Sequence, residues 1–309
     1  MIIEPSAQHK LFGHTDIFNQ FINLHLKNKL PNKILLSGQK GLGKSTLAYH
    51  LINYVLSKGE NYTYNQNNCE INLKNKSYIL LQNKSNPNIN LIDVTKDKKN
   101  IDVDQIKKLI LDLNKSSFND KSRFVLIDNI EFLNNNSVNA LLKLIEEPND
   151  NINFILINNN KKISSTLKSR CLNFNISLTY EESIKIINKI INGNIFNLVN
   201  YELIDNYVTP GQILNILEFS KEHKIDVKDT NLKDFLSIII KNKMYKKEKS
   251  IIDIIYSFIE LYFRKRITLK NVNVLNFYSY FVKKINYTKT YNLDEEILFM
   301  EFDDKILNG

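Results

Sequence analysis

The sequence predicts an α/β fold, in which a parallel sheet carries helices on both faces, followed by a helical C-terminal region. Short apolar runs of strand length alternate with segments of helical periodicity up to about residue 177, which is typical of strand–helix–strand units. A glycine-rich motif lies between the first apolar run and the first helical segment that follows it. Beyond residue 178 helical periodicity dominates, and a length of 309 residues is sufficient for two or three domains.

The glycine-rich motif reads Gly-Gln-Lys-Gly-Leu-Gly-Lys-Ser over residues 38–45 and matches the phosphate-binding P-loop pattern G-x-x-x-x-G-K-[ST] in full. Its glycines allow a tight backbone turn that presents N–H groups to phosphate oxygens. Lys44 is predicted to reach the β- and γ-phosphates of a nucleotide, and the Ser45 hydroxyl is predicted to hold Mg²⁺. The predicted nucleotide-binding residues of this segment are Gly38, Gln39, Lys40, Gly41, Leu42, Gly43, Lys44, Ser45 and Thr46.

The segments on either side of the motif have the required character. Residues 34–36 form an apolar run suited to a buried strand, and residues 45–56 carry apolar side chains at helical spacing. The phosphates would then lie at a helix N-terminus, where free N–H groups and the helix dipole favour anions. The alternative, a glycine-rich turn with a chance Lys-Ser pair, does not account for these flanking segments.

Later segments continue the alternation of strands and helices. Strands are predicted at residues 89–94, 124–128, 154–157 and 172–176. Helices are predicted at residues 103–113, 137–147, 181–191, 210–223, 232–241 and 250–265, and Pro148 is expected to end the second of them. The Asn-rich segment 58–84 has no clear periodicity and is predicted to be a loop or a variable insertion.

Polar side chains stand at the carboxyl ends of two predicted strands. Asp128 ends an apolar run in the form of a Walker B element, whose carboxylate helps to hold Mg²⁺. Asn158 ends the next apolar run, although a solvated loop position is an equally open interpretation for it. Because ligands of parallel sheets lie beyond the carboxyl ends of the strands, Asp128, Asn158 and the P-loop are expected to converge on one nucleotide.

Composition restricts the class of protein further. The formal charge of +9 favours nucleic-acid phosphates, but the basic residues are nearly all lysine, so charge alone supports DNA binding only weakly. Cys69 and Cys171 are far apart in the sequence, which offers neither a zinc cluster nor a disulfide framework. The N-terminal residues have no signal-peptide pattern and no apolar stretch could span a bilayer, so a cytoplasmic location without membrane association is expected.

Four motifs resemble, in the same order, those of the bacterial DNA polymerase III clamp-loader subunits, a family of AAA+ proteins. They are Leu-Phe-Gly-His at residues 11–14, which is followed by Leu-Pro at 30–31 ahead of the P-loop, Val-Asp-Gln-Ile at 103–106, Asn-Ala-Leu-Leu-Lys-Leu-Ile-Glu-Glu-Pro at 139–148 and Ser-Arg-Cys at 169–171. The resemblance extends from residue 11 to about residue 212, and the third and fourth motifs are highly specific in combination.

This resemblance implies three domains: an AAA+ α/β domain at residues 1–177, a helical lid at 178–222 and a helical collar at 223–309. It implies ATP and Mg²⁺ as ligands, and a hetero-pentamer with gamma/tau- and delta-type subunits that loads a sliding clamp onto primed DNA. The four-cysteine zinc module common in these subunits is not matched, so no zinc is expected. One apolar stripe in the collar is expected to serve the domain core and assembly; it comprises Ile251, Ile254, Ile255, Phe258, Ile259 and Tyr262.

Two positions depart from the pattern of the active ATPases in this family. Asn129 occupies the position of a Glu that polarises the attacking water, and Gln212 that of an Arg that senses the γ-phosphate. Glu131 is a possible substitute base, but a structural or surface role is favoured for it. These departures favour a delta-prime-type stator with weak or no hydrolysis over a gamma/tau-type motor, with an unrelated P-loop kinase as the third alternative.

Arg170, within the Ser-Arg-Cys motif, is the candidate catalytic residue. The chain has only four arginines, so an arginine here indicates a need for a forked guanidinium rather than for a plain positive charge. In the family this position is the arginine finger, which acts in trans on ATP held by a neighbouring subunit. The alternative is an arginine that packs locally or pairs with an acidic neighbour.

Overall fold

The structure is a computed structural model that describes residues 4–95, 98–115, 119–146, 151–205, 208–247, 250–266, 272–291 and 293–308. The chain divides into two compact units. The first comprises residues 2–186 together with 209–211, and the second comprises residues 187–208 together with 212–309. The further division of the helical part into a lid and a collar stays a prediction. No helix in the described ranges is both long enough and apolar enough to cross a membrane.

The first unit alternates strands and helices. Its strands are β1 (Lys33–Ser37), β2 (Ile89–Ile92), β3 (Arg123–Ile127), β4 (Ile152–Asn158) and β5 (Leu172–Asn175). Its helices are α1 (Thr15–Leu26), α2 (Lys44–Leu56), α3 (Lys76–Gln82), α4 (Val103–Leu113), α5 (Asn135–Glu146), α6 (Ser165–Lys168) and the first part of α7 (Tyr180–Ile191). The predicted strands and helices of this region are therefore confirmed, whereas the predicted helix end at Pro148 lies outside the described residues.

The five strands form one parallel sheet in the order β2-β3-β4-β1-β5. The P-loop strand β1 lies between β4 and β5, with Ser37 opposite Asn158 and Asn175. Strand β3 lies on the other side of β4, with Ile127 opposite Leu156. Because all strands run in one direction, the segments that follow β1, β3 and β4 meet at a single edge of the sheet.

The sheet buries both of its faces. Alternate residues of β1 point in opposite directions, so that Ile34 and Leu36 pack in one apolar cluster and Leu35 packs in another. The first cluster includes the apolar side chains of α1 and α2, and the second includes those of α4 and α5. The predicted arrangement of a parallel sheet covered by helices on both faces is confirmed.

The segment 58–84 is more ordered than the loop that the sequence predicted. It contains α3, whose first turn is capped by the Asn75 side chain accepting a hydrogen bond of 2.8 Å from the Tyr78 N–H. The carboxylate of Glu60 accepts hydrogen bonds from the Ser77 hydroxyl at 2.6 Å and from the Lys121 ammonium at 2.8 Å. The prediction of a loop was wrong for α3, because the Glu60 bonds join residues 17 and 61 positions apart and leave no local apolar period.

The second unit is helical. Its helices are the remainder of α7, α8 (Pro210–Glu222) from Gln212 onward, α9 (Leu232–Lys241), α10 (Met244–Lys247), α11 (Ser250–Arg266), α12 (Val272–Tyr291) and α13 (Glu295–Phe302). All six residues of the apolar stripe predicted on α11 are buried in the core of this unit. That stripe therefore serves the core and is not available at the surface.

An exposed row of aromatic side chains lies on α12 instead. Phe277, Tyr280, Tyr287 and Tyr291 follow helical spacing along one face and are 40%, 46%, 58% and 68% exposed. We call these four residues the aromatic face. Helix α12 contains no acidic residue, and large aromatic side chains are seldom left exposed in such a row on a free surface.

Candidate nucleotide-binding site

The P-loop connects the end of β1 to the start of α2. Gly41 and Gly43 have φ values of 87° and 84°, in the left-handed region that side-chain-bearing residues seldom adopt. Gly38 is required for a different reason, because a Cβ there would lie 2.2 Å from the carbonyl oxygen of Ile176. The glycines of the motif thus permit both the turn and the close approach of the backbone segment that follows β5.

The Lys44 side chain is enclosed by the loop that it follows. It is 3% exposed, and its ammonium donates to the carbonyl oxygens of Gly38 at 2.8 Å and Gln39 at 2.6 Å. Burial lowers the pKa of Lys44 to about 8, and the carboxylates of Asp128 and Glu131 oppose that shift. The loop therefore holds a cation whose direct hydrogen-bond partners are neutral carbonyls.

Ser45 and Asp128 are brought together at the edge of the sheet. The Ser45 hydroxyl donates to Oδ2 of Asp128 at 2.5 Å, and the Asn129 N–H donates to Oδ1 at 2.8 Å. Burial raises the pKa of Asp128, the Ser45 hydrogen bond opposes this rise, and the negative charge of Asp93 adds to it. A hydroxyl and a carboxylate are hard oxygen ligands of the kind that Mg²⁺ prefers.

A network of polar side chains continues along the same edge. The Asn129 amide nitrogen donates to Asp93 at 2.7 Å, and its amide oxygen accepts from the Asn159 side chain at 2.8 Å. The same Asn159 nitrogen donates to Oε1 of Glu131 at 3.1 Å, and the Asn159 backbone N–H donates to Oε2 at 3.3 Å. Asn129 is therefore held at both ends of its amide, and Glu131 is held by Asn159.

Sequence reasoning did not select Asp93 or Asn159, although each directly follows a strand. Asp93 comes after β2 and Asn159 after β4. The available signal was a polar side chain near the end of each predicted strand, since Asp93 falls within the predicted strand 89–94 and Asn159 just after 154–157. The sheet order that places them on either side of Asn129 could not be read from local patterns.

Asn158 is buried at the end of β4 and is 6% exposed. Its side chain bonds within the following turn, donating to the Lys161 carbonyl at 3.0 Å and accepting from the Lys161 N–H at 3.2 Å. Its backbone carbonyl accepts from the Gly38 N–H at 3.2 Å. Asn158 thus contacts the P-loop through its backbone, while its amide shapes the turn.

Thr209, directly before α8, and Gly211, in the first turn of α8, also lie against the P-loop. The Thr209 hydroxyl donates to the Lys40 carbonyl, and the Gly211 N–H donates to the Gly41 carbonyl, both at 2.9 Å. A Cβ on Gly211 would lie 2.6 Å from the Gly41 Cα. Gln212, the next residue, stood out in the sequence for its missing arginine, but the sequence gave no sign of this close backbone approach at Gly211.

His14 supports the loop from the N-terminal side. Its Nε2 lies 2.6 Å from the Leu42 carbonyl oxygen, which can only accept, so Nε2 carries the hydrogen. Burial lowers the pKa of His14, while the hydrogen bond to the Leu42 carbonyl acts in the opposite direction. The ring is therefore favoured in its neutral form, as a donor that fixes the P-loop backbone.

Arg170 lies between α6 and β5 and belongs to a separate cluster. Its Nη2 is 2.5 Å from Oε1 of Glu146, and its Nη1 donates to the Thr166 carbonyl at 2.9 Å. Arg123, by contrast, donates to the carbonyls of Asp112 at 2.6 Å and Leu113 at 2.8 Å, the last two residues of α4, and so caps that helix.

The two cysteines show no sign of metal chemistry. Cys69 is buried and Cys171 is half-buried, both are free thiols, and burial raises the pKa of Cys171 to about 11. Within the described ranges, no group of three or more His, Cys, Asp or Glu side chains is arranged to hold a metal ion.

A P-loop at the end of a central parallel strand, a carboxylate at the end of β3 and a following helical unit define a P-loop protein of the AAA+ class. Residues 13–179 match the sequence profile of the family described as DNA polymerase III, delta subunit. The chain belongs to this family, and the predicted membership of the clamp-loader subunits is confirmed.

Individual relatives agree with this family. A DNA polymerase III subunit delta′ from Buchnera aphidicola (Schizaphis graminum) is 28% identical over 286 residues, which cover 87% of this chain and 83% of the relative. A DNA polymerase III subunit gamma from the same organism is 29% identical over 239 residues, 73% of this chain and 62% of the relative. The crystal structure of a gamma-subunit-related protein from Thermotoga maritima shares the fold at 14% identity, with a TM-score of 0.50, covering 91% of this chain and 96% of that one.

Proposed function

We propose that this clamp-loader subunit is of the delta-prime type, binds ATP and Mg²⁺ in its P-loop, hydrolyses ATP slowly, and supplies Arg170 to a neighbouring subunit. The observation that carries the proposal is Asn129. Its amide is bonded to Asp93 and Asn159 and cannot accept a proton from an attacking water. Loss of a positioned general base lowers a rate by about 10²–10⁴-fold.

The residues of the P-loop fit a magnesium–nucleotide complex. The Lys44 ammonium is buried and bonded directly only to neutral carbonyls, so a phosphate would supply it with a negatively charged hydrogen-bond partner. The N–H groups of the loop and the N-terminus of α2 would bind phosphate oxygens. Ser45 and Asp128 would hold Mg²⁺, which would neutralise phosphate charge when bound.

A gamma/tau-type motor remains the second candidate, because the P-loop is complete and the Ser45–Asp128 pair is in place. Two features weigh against rapid turnover. The position after Asp128 carries an amide, and Gln212 lacks the charge of the arginine that would sense the γ-phosphate. Family membership excludes the third alternative, an unrelated P-loop kinase.

The proposed partners are gamma/tau- and delta-type subunits in a hetero-pentamer, the sliding clamp and primed DNA. Two of the relatives are themselves named subunits of DNA polymerase III, which supports assembly with other chains. The aromatic face of α12 is the surface that we assign to a neighbouring subunit's helical domain. Exposed tyrosine and phenylalanine side chains are the types enriched at the energetic centres of protein interfaces.

Two measurements test this function. Affinity-tagged chain is first used to recover gamma/tau-, delta- and clamp-type proteins, and failure to recover any of them would contradict the clamp-loader assignment. Steady-state ATP turnover of the isolated chain is then compared with that of a gamma/tau-type subunit under the same conditions. Turnover at the rate of the motor subunit would overturn the stator assignment while leaving membership of the assembly intact.

A further inference from the structure

The guanidinium of Arg170 is anchored by two acceptors of its own chain. Nη2 lies 2.5 Å from Oε1 of Glu146, within α5, and Nη1 donates to the carbonyl of Thr166, in α6, at 2.9 Å. The two anchors come from different helices and hold different nitrogens. The fork is thereby fixed in direction as well as in position.

We infer that Glu146 is the positioning residue for Arg170, holding its guanidinium ready for the phosphate of a nucleotide bound by a neighbouring subunit. This inference rests on the proposed function of Arg170 in trans. A guanidinium carries five N–H donors, so two anchoring bonds leave three for a phosphate. The side chain is 38% exposed, which leaves it accessible to a partner.

The physical effect of the anchor is to restrict the conformations of a long side chain. An unanchored arginine at a surface samples many rotamers, and only a fraction of them would direct the fork outward. A catalytic group gains from fixed orientation because less motion is lost when the transition state forms. Glu146 is 51% exposed, so the ion pair is weak, and its removal should alter the rate only modestly.

The test uses the complete complex, reconstituted from this chain, gamma/tau- and delta-type subunits, the sliding clamp and primed DNA. Glu146→Gln keeps the shape of the side chain and removes the charge. ATP turnover should fall about two- to fivefold, the range that a half-exposed ion pair can account for. The fall should lie in kcat with KM for ATP unchanged, because the nucleotide is held by another subunit. Asp104→Asn, which removes another exposed ion pair of the same unit, is the matched control.

The decisive readout is a double-mutant cycle with Arg170→Ala. If Glu146 acts through Arg170, Glu146→Gln should have no further effect in the Arg170→Ala background, whereas a purely structural role would persist there. Unchanged or faster turnover with Glu146→Gln, alongside slower turnover with Arg170→Ala, would overturn the positioning role alone. If Arg170→Ala itself leaves turnover unchanged, the trans-acting role fails, and the positioning role fails with it.

Discussion

The Ser45 hydroxyl donates a 2.5 Å hydrogen bond to the Asp128 carboxylate, which lies 83 positions further along the chain. This bond joins the first turn of α2, the helix that follows β1, to the residue after β3, and β4 lies between β1 and β3 in the sheet. The Lys44 ammonium is buried and the Asp128 carboxylate is half-buried, and loss of solvent opposes the charged form of each. Because a bound magnesium–nucleotide complex would supply an opposite charge to both groups, the site is expected to be more stable when filled.

Lys44→Met should abolish nucleotide binding and at the same time stabilise the free protein. The folded-state pKa of about 8 lies below the ordinary 10.5, so at pH 7 the buried charge destabilises the fold by up to about 3 kcal/mol. Between pH 8 and 10.5 the unfolded chain binds the proton that the folded chain has lost, so wild-type stability rises there. The difference in the free energy of unfolding between Lys44→Met and wild type should therefore decrease from about pH 8 to 10.5.

Chemical denaturation at pH 7 and at pH 9.5, with and without magnesium–ATP, measures these effects. Lys58→Met, at an exposed lysine in the same unit, serves as the control. If Lys44→Met is less stable than wild type at pH 7, the buried charge does not destabilise the fold. If ATP still stabilises the variant, Lys44 is not required for nucleotide binding.

Much of the first unit could be predicted because its strands are short apolar runs between clear turns. The P-loop and Asp128 were found for the same reason, since each directly follows such a run. Helix α1 was not predicted, although Phe18, Phe21 and Ile22 stand at helical spacing and are buried.

The missed parts of the site depend on which strands are neighbours. Asp93, Asn129 and Asn159 follow three different strands, and only the order β2-β3-β4 brings their side chains into one network. Local sequence patterns carry no information on that order. The apolar stripe of α11 shows a second limit of local patterns. Its periodicity correctly indicated a buried helix face, but it could not show whether that face packs in the core of its own unit or against another subunit.

Asn129→Glu should raise ATP turnover by the isolated chain, but only in part. The new carboxylate would stand beside Asp93 and Asp128, so its pKa should lie above that of an ordinary glutamate. Since a base acts only when it is deprotonated, turnover should increase with pH between about 5 and 8. Gln212 should still hold the rate below that of a motor subunit.

Initial rates over that pH range are compared for Asn129→Glu and for Asn129→Gln, which has the same length without the charge. Equal rates for the two variants at every pH would show that the missing base does not limit hydrolysis.

Arg170→Ala should leave nucleotide binding by this chain intact and slow ATP hydrolysis by the reconstituted complex. An arginine finger contributes about 10³–10⁵-fold to hydrolysis at the site that it serves. Arg170→Lys should restore little activity, because one ammonium cannot bond to Glu146, to the Thr166 carbonyl and to a phosphate with the geometry of the fork. Clamp loading at the normal rate by the Arg170→Ala complex would rule out the role in trans.

Replacing both Tyr287 and Tyr291 with Ser should weaken assembly without unfolding the chain. The two side chains are 58% and 68% exposed, so their loss removes little from the core. Each exposed tyrosine buried at an interface contributes about 1–2 kcal/mol or more, so complex affinity should fall at least about tenfold. Tyr201→Ser, at a tyrosine 70% exposed in the same unit, is the control for a general loss of surface aromatic area.

Sedimentation or mass photometry of the reconstituted complex measures the affinity, and circular dichroism confirms that the variant is folded.

These two substitutions are a more specific test of the interface than removal of residues 223–309. That cut would divide the compact second unit and expose Ile213, Ile216 and Phe219, which are now buried. Wild-type assembly by the Tyr287/Tyr291 variant would show that the aromatic face does not contribute to the subunit interface.

Gly211→Ala should displace the P-loop. The added Cβ would lie 2.6 Å from the Gly41 Cα and 3.1 Å from the Gly41 carbonyl oxygen, and these backbone atoms cannot move aside by changing rotamer. Accommodating the methyl group must lengthen the Gly211–Gly41 hydrogen bond, now 2.9 Å, at a cost of about 1–3 kcal/mol. Because the shifted atoms belong to the phosphate-binding loop, affinity for ATP should fall together with stability.

Gly193→Ala is the matched control, since a Cβ there would meet only the Ile191 carbonyl oxygen, at an ordinary 3.9 Å. Thermal unfolding and equilibrium binding of a fluorescent ATP analogue are measured for both variants. Gly193→Ala should match wild type in affinity. If Gly211→Ala also binds ATP with wild-type affinity, the contact between the start of α8 and Gly41 does not set the conformation of the P-loop, and the bond between them is incidental to nucleotide binding.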